Sequence, residues 1–198
     1  MPGFEAGLGI CFGIGKQSGL VLGAGWGVVP FSFQFKFKAP FAHPMVSTTE
    51  HDLNHSSYIV NQYVFPVSYS RIFSYKRLRL FAEAGLRLHR LLNYPYSMST
   101  GYNYFISLDS SSAKLFYMTI ADTDSKHFIS GFLRAGIWSL TDRANTFSIN
   151  GIISYCPQQI GAGSYSFFNL PYASSGRIRL GINHVGLELT YGFTLRRN

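Results

Sequence analysis

Residues 77–92, RLRLFAEAGLRLHRLL, alternate between apolar and polar side chains. Leucine or alanine occupies nearly every second position, and arginine, glutamate and histidine occupy most of the positions between them. This period of two is typical of a β-strand, because successive side chains of a strand point to opposite faces. A helix would leave leucines around most of its circumference and would lack a capping residue at its start. The segment is therefore predicted to be a strand, and the location of the protein depends on which face meets water.

The same period of two recurs in six further segments, so the chain is predicted to be all-β. The seven predicted strands are residues 3–15, 20–37, 58–73, 77–92, 127–140, 146–156 and 176–195. The apolar phase slips at Val29 and Pro30, where a bulge is predicted. The phase also inverts near Asn183, where either a bulge bends one long strand or a tight turn separates two short strands.

Short and long connections alternate between these strands. Short turns are predicted at 16–18, 74–76 and 141–145, and long polar loops at 39–57, 93–126 and 157–175. Residues 113–120 of the second loop are suited to extend a strand beyond the wall. Bacterial membrane barrels combine short periplasmic turns, long extracellular loops and an even number of strands. Seven strands therefore predict an antiparallel up-and-down transmembrane β-barrel of the eight-stranded type, whose first strand is missing from this chain. A turn at Asn183 would instead give eight strands, with both termini on the long-loop side.

The composition favours a barrel wall that faces lipid. Charged residues make up 13% of the chain, whereas soluble domains carry about a quarter. No apolar run approaches the ~20 residues of a transmembrane helix, so the membrane option is a barrel formed by residues 1–198 as one domain. The alternative is a soluble, lipocalin-like barrel that binds an apolar ligand. That alternative requires leucines around an inner cavity and Arg77, Arg79 and Arg87 in solvent.

The net charge and the cysteines add no further class of function. The formal net charge is +8, but the basic residues stand singly along strands and at turns, so no nucleic-acid partner is predicted. Cys11 and Cys156 lack metal-ligand spacing and are interpreted as ordinary strand residues. No cofactor is predicted. The chain opens without a charged segment followed by an apolar one, so its start is expected to be incomplete or processed.

Charged side chains on the polar faces of the strands form the first candidate site. They are Glu5, Arg77, Arg79, Glu83, Arg87, His89, Arg134 and Glu188. Such a set lines a pore, binds an anionic substrate, or pairs across the interior as a polar plug. The plug is the preferred interpretation, because side chains just fill the interior of an eight-stranded barrel. Arg87 with Glu83 or Glu188 is the expected pair.

Seven aromatic residues are candidates for girdles at the two membrane surfaces, where amphipathic rings lie at headgroup depth. They are Trp26, Tyr63, Tyr69, Trp138, Tyr155, Tyr191 and Phe193. Ordinary aromatic packing on strands is the alternative interpretation.

Metal binding and catalysis are the remaining candidate chemistries. His43, His51 and His55 lie within 13 residues of one another, beside Glu50 and Asp52, and such a set suits zinc or copper. Incidental surface histidines are the preferred interpretation, since a loop offers no fixed geometry. No Ser-His-acid order is apparent, so no enzymatic activity is predicted.

Four segments resemble the small outer-membrane β-barrel family of Bacteroidetes, which includes the PorT-like proteins. They are PGFEAGLGICFG at 2–13, NQYVFPVSYS at 61–70, RLFAEAGLRLHRLL at 79–92 and HVGLELTYGF at 184–193. The chain departs from the family pattern in the missing strand and in a tail, residues 194–198, beyond the terminal aromatic residue. The resemblance implies the bacterial outer membrane, in contact with membrane lipid and lipopolysaccharide, and it implies no reaction.

The predicted function is accordingly structural or interaction-based, with the loops 39–57 and 93–126 as the specific surface for a protein partner. Secretion or transport assistance in the PorT-like manner is an alternative that depends on analogy alone.

Overall fold

The computed structural model describes residues 3–36, 52–75, 78–92, 97–106, 111–122, 125–140, 145–167 and 174–193. Regular structure within these ranges consists of strands. They are β1 (Phe4–Gly13), β2 (Ser18–Lys36), β3 (Asp52–Tyr75), β4 (Leu78–Leu91), β5 (Ser97–Ile106), β6 (Ser111–Asp122), β7 (His127–Leu140), β8 (Thr146–Tyr155), β9 (Gly161–Phe167), β10 (Ser174–Leu180) and β11 (His184–Gly192). Among the described residues, no helix is long and apolar enough to cross a membrane.

Seven of the strands form one sheet, here called the main sheet, in the order β1-β2-β3-β4-β7-β8-β11. Neighbouring strands are antiparallel throughout, as the alternating segments predicted. The sheet curls into a half-barrel whose two edges are β1 and β11. Short connections join β1 to β2, β3 to β4 and β7 to β8 at one end, which we call the short-turn end.

The other four strands form a second antiparallel sheet, here called the cap sheet, in the order β10-β9-β6-β5. Three of them, β5, β6 and β9, lie in the predicted loops 93–126 and 157–175, and β3 begins inside the predicted loop 39–57. β6 covers residues 113–120, for which the sequence predicts a strand, but it pairs within the cap sheet; the rest of these loop predictions is corrected. The segments form strands through long-range pairing, such as β6 with β9, rather than through a strong local alternation of their own.

A buried apolar cluster joins the cap sheet to the main sheet. Its members are Val60, Leu91, Met118, Ile120, Phe128, Cys156, Ile160, Leu180 and Ile182, and Phe31, Tyr165 and Ile178 pack against it. The members from the main sheet lie in the half remote from the short turns. The interior of the sheet is therefore apolar at this end, which we call the cap end.

The apolar cluster explains why the phase slips along β2. Phe31 packs on the cluster, so an apolar side chain lies on the inner face of the strand. β2 pairs with β3 in one register through Pro30 opposite Ile59, and the irregularity lies between Phe33 and Phe35. The bulge predicted at the proline is therefore wrong in position. The phase slips because the interior changes from polar to apolar, and not because the backbone gains a residue at Pro30.

The predicted strand 176–195 is neither one bent strand nor a hairpin. Its first part forms β10 of the cap sheet and its second part forms β11 of the main sheet. Residues 181–183 connect the two, and the Cys156 N–H donates to Asn183 Oδ1 across 2.7 Å beside this crossing. The phase inverts because Leu180 and Ile182 pack in the apolar cluster, whereas the apolar side chains of β11 face away from the interior.

The two faces of the main sheet have opposite chemistry. Large aliphatic side chains of the outer face are exposed: Leu86 by 59% and Leu133 by 64%. Charged and polar side chains of the inner face are buried, with 4% exposure for Glu83, 2% for Arg87 and none for His89. In soluble proteins the large aliphatic side chains are the ones most often buried, and charged side chains are mostly exposed.

Candidate functional site

Arg87 connects the two edge strands of the main sheet across the interior. Its Nη1 lies 3.2 Å from Glu5 Oε2 on β1 and 3.5 Å from His184 Nε2 on β11. Its guanidinium also lies over the Phe132 ring, 4.7 Å from the ring centroid. The partner of Arg87 is therefore Glu5, rather than Glu83 or Glu188 as predicted. The pairing of neighbouring strands does not predict this contact, because the distance between β4 and β1 across the interior depends on how far the sheet curls.

Arg134 forms the second charged centre of the interior. Its Nη2 lies 3.2 Å from Glu83 Oε1, and its Nη1 lies 2.6 Å from Glu188 Oε1. Glu83 is opposite Arg134 in the β4–β7 register, and it also accepts a hydrogen bond from the Ser68 hydroxyl. The Thr190 hydroxyl donates to Glu188 Oε1 across 3.0 Å. Each carboxylate thus has a cation and a hydroxyl, which is what burial of charge requires.

A hydrogen-bonded chain of polar side chains continues the interior toward the cap end. His89 Nδ1 lies 3.2 Å from Gln62 Oε1, and His89 Nε2 lies 2.7 Å from Ser130 Oγ. Since the amide oxygen only accepts, the pattern assigns the ring proton to Nδ1 and makes the Ser130 hydroxyl a donor to Nε2. Ser154 Oγ donates to Ser130 Oγ across 3.1 Å. Sequence reasoning did not single out Gln62, Ser130 or Ser154, although all three lie on polar faces of alternating segments.

The contacts of Ser130 and His89 have the connectivity of a nucleophile and its base, but their surroundings do not fit catalysis. Both residues have no solvent exposure, and Gln62 has 3%. A substrate would have to displace buried neighbours to reach the hydroxyl. The chain of contacts is accordingly interpreted as structural satisfaction of buried polar groups.

Gly23 lets β2 approach its neighbouring strands closely. A Cβ atom on Gly23 would lie 2.9 Å from Pro66 Cγ on β3, closer than real Cβ contacts, and 3.0 Å from the carbonyl oxygen of Leu8 on β1. Gly23 is therefore required by the close approach of β2 to its two neighbouring strands.

Two predicted residues lie elsewhere on the sheet. Arg79 is exposed, and its guanidinium lies 5.2 Å from the centroid of the Trp138 ring, which is opposite Arg79 in the β4–β7 register. Trp138 therefore lies on the inner face, two positions from Gly136 and four from Arg134, and not in an outward girdle. Arg77 lies outside the described residues.

The other predicted aromatic residues lie on the outer face in two groups. Trp26 and Tyr63 lie opposite each other in the half nearer the cap end, where Phe4 contacts Trp26 edge to face with 6.3 Å between ring centroids. Tyr69 and Tyr191 lie toward the short-turn end. Tyr155 closes β8 at the cap end, and Phe193 packs edge to face on Tyr191, 4.9 Å between centroids. All six are at least 41% exposed, with aliphatic side chains between the groups.

The candidate metal ligands fall where little is described. His43 and His51 lie outside the described residues, and of His55 only the backbone, on β3, is described. Across the described ranges, no group of three or more His, Cys, Asp and Glu side chains is arranged to hold a metal ion. Cys156 is buried just beyond β8, and this burial raises the pKa of its thiol.

Comparisons of the chain with protein-family models, with curated proteins and with solved structures gave no match. The resemblance to the small outer-membrane barrels of Bacteroidetes thus stays a prediction.

Proposed function

We propose that the chain is a bacterial outer-membrane β-barrel protein with a structural or interaction role and a side-chain-filled interior. The observation that carries this proposal is the inverted distribution of side chains in the main sheet, with leucines outside and paired charges inside. Fully burying one leucine is favourable by about 1.5–3 kcal/mol, so a wall of exposed leucines is costly in water. Lipid removes that cost, because hydrocarbon surrounds the same side chains in the folded state.

We further propose that one additional strand closes the main sheet between β1 and β11. Both edges present backbone groups without a strand partner among the described residues. A bilayer cannot satisfy such groups, so a sheet that crosses a membrane has to close on itself. The contacts of Arg87 with Glu5 on β1 and His184 on β11 support this closure, since they bring the two edges to one side chain. Closure would give eight strands, an even number.

The filled interior favours a polar plug over a pore. Arg87, Arg134 and their carboxylate partners cross the interior, and the apolar cluster follows at the cap end. The connections at the cap end, which include the cap sheet, would then be the extracellular surface that a protein partner recognises. Secretion assistance of the PorT-like kind gains no support from the described contacts.

The soluble, lipocalin-like alternative is disfavoured by the orientation of three neighbouring residues. It requires Leu86 and Leu88 around an inner cavity and Arg87 in solvent. Leu86 and Leu88 are 59% and 43% exposed, whereas Arg87 is 2% exposed. The alternative also requires Arg79 in solvent. Among the described residues Arg79 is exposed, but its guanidinium stacks on Trp138 of the inner face.

Lipid contact of the outer face is testable with two adjacent positions on β11. Leu189→Cys and Thr190→Cys, each in the full chain with Cys11 and Cys156 replaced by serine, receive a fluorophore in vesicles that carry a spin-labelled quencher in the acyl region. Leu189 is 71% exposed on the outer face, and Thr190 is half-buried on the inner face. We expect strong quenching at position 189 and little at position 190.

Equal quenching at both positions, or none at either in a folded protein, would contradict the proposal. Absence of quenching together with a stable fold in plain buffer would favour the soluble barrel. Far-UV circular dichroism of both variants controls for loss of the fold.

A further inference from the structure

The outer face of the main sheet has a groove in the half nearer the cap end. Its cavity volume is about 420 Å³, and its lining residues are Ala6, Gly7, Leu8, Ala24, Gly25, Trp26, Tyr63 and Phe65. The groove forms because small residues of β1 and β2 lie side by side, with Leu8 opposite Ala24 and Ala6 opposite Trp26. Its floor is therefore backbone and methyl groups, and its walls are large apolar and aromatic side chains. This chemistry fits a flexible hydrocarbon chain.

Basic side chains continue from one wall of the groove, and we call them the cationic row after its charged members Arg90 and Lys126. The register runs from Trp26 to Tyr63 on β3, then to Arg90 on β4 and His127 on β7. Arg90, His127 and the adjacent Lys126 are all exposed. The ion pairs between described residues lie in the interior, and Arg90 takes part in none of them. The row thus presents positive charge directly beside an apolar groove.

Outward side chains change from basic or polar to apolar over a short step along the strands. The next outward positions toward the middle of the strands lie two residues away from Tyr63, Arg90 and His127. They are Phe65, Leu88 and Ile129, which are opposite one another in register. Cationic and amphipathic groups therefore give way to hydrocarbon over one step of about 7 Å along a strand. A lipid with an anionic headgroup has the same succession of charge and hydrocarbon.

We propose that the groove and the cationic row together bind one phosphorylated lipid of the surrounding leaflet. One acyl chain lies in the groove, the headgroup meets the rings of Trp26 and Tyr63, and a phosphate accepts hydrogen bonds from Arg90. This inference rests on the proposed function, in which the cap end faces the outside. The fitting lipid is then the phosphorylated glycolipid of the outer leaflet, the lipid A part of lipopolysaccharide. Arginine suits phosphate because its planar guanidinium donates two parallel hydrogen bonds.

The test measures retention of lipid A by the full chain in detergent micelles, with native mass spectrometry as the readout. Lipid A with both phosphates is compared with its dephosphorylated form and with inorganic phosphate. Arg90→Gln removes the cation, and Arg71→Gln is the matched control, since Arg71 is an exposed arginine of the outer face toward the short-turn end. Ala24→Phe fills the groove, and Ala84→Phe adds the same ring to the outer face of β4 away from it.

We expect phosphorylated lipid A to be retained about tenfold better than the dephosphorylated form, which is the order of magnitude of one hydrogen bond to a charged group. Arg90→Gln should abolish that preference, and Ala24→Phe should lower the retention of both forms of lipid A. Arg71→Gln and Ala84→Phe should retain both forms as the wild type does.

An equal loss of the preference in Arg90→Gln and Arg71→Gln would overturn the site, because it would indicate that diffuse surface charge attracts the lipid. Displacement of lipid A by inorganic phosphate would overturn the lipid as the occupant of the groove. A wild-type dimer that Ala24→Phe abolishes would overturn it as well, because a second copy of the chain would then occupy the groove. Failure of the chain to enter vesicles would instead contradict the proposed function, whereas insertion without lipid preference contradicts only this inference.

Discussion

The interior of the main sheet balances its buried charges through two arginines. Arg134 lies between Glu83 and Glu188, with distances of 3.2 and 2.6 Å to their Oε1 atoms. The side chain of Glu83 is 1% exposed and that of Arg134 is 12% exposed, so water screens this pair little. Glu188, with 30% side-chain exposure, retains partial access to solvent. Removal of the arginine would therefore leave one carboxylate buried without a cation and a second only partly hydrated.

Arg134→Ala is expected to destabilise the fold by about 3 kcal/mol, the lower end of the cost of stranding a buried charge, because Glu188 is partly hydrated. Urea unfolding of the refolded chain in micelles measures this loss. Arg71→Ala is the control, since Arg71 is exposed and is expected to change stability by no more than about 0.5 kcal/mol. A similar small change for both variants would show that Glu83 is neutralised in another way. Glu83→Gln combined with Arg134→Ala should recover part of the loss.

At the scale of the strand, local alternation predicted the strands of the main sheet and separated outward Leu86 from inward Arg87, because period two is a property of neighbouring residues. It did not separate β10 from β11, which the predicted strand 176–195 merges. Trp138 was grouped with outward aromatic residues by its type, although its position relative to Arg134 already indicates the inner face. The partner of Arg87 and the cap sheet were not predictable in this way. Both depend on the curvature of the sheet and on pairing between segments far apart in the chain.

The packing of β1 and β2 against β3 predicts opposite outcomes for two glycines. Gly23→Ala should destabilise the fold by about 1–3 kcal/mol, because its Cβ would lie 2.9 Å from Pro66 Cγ and 3.0 Å from a backbone oxygen. Gly13→Ala should be neutral or stabilising by up to about 1 kcal/mol, since nothing lies within 4 Å of its Cβ and alanine reduces the freedom of the unfolded chain. Urea unfolding measures both. Equal effects would contradict the close approach of β2 and β3.

At the scale of the whole molecule, the proposed barrel would be closed twice in series. The paired charges of Arg87 and Arg134 cross its polar part, and the apolar cluster that contains Met118 and Ile120 closes the cap end. In the closed barrel each closure would have a different physical basis, since filled volume and fixed charge would exclude ions from the first and the absence of water would exclude them from the second. Opening one closure should therefore leave the other intact.

This arrangement predicts that the protein conducts no ions in a planar bilayer once the proposed additional strand has closed the main sheet, and that neither Arg87→Ala nor Ile120→Ser alone creates a conducting path. The two substitutions together should produce measurable leakage, because a continuous hydrated route then replaces both barriers. Ala84→Ser combined with Arg71→Gln, two substitutions on the outer face, is the control and should remain closed. Steady conductance of the wild type would contradict the plug and favour a pore. Conductance in Ile120→Ser alone would mean that the polar interior is permeable, and that the apolar cluster is the only barrier.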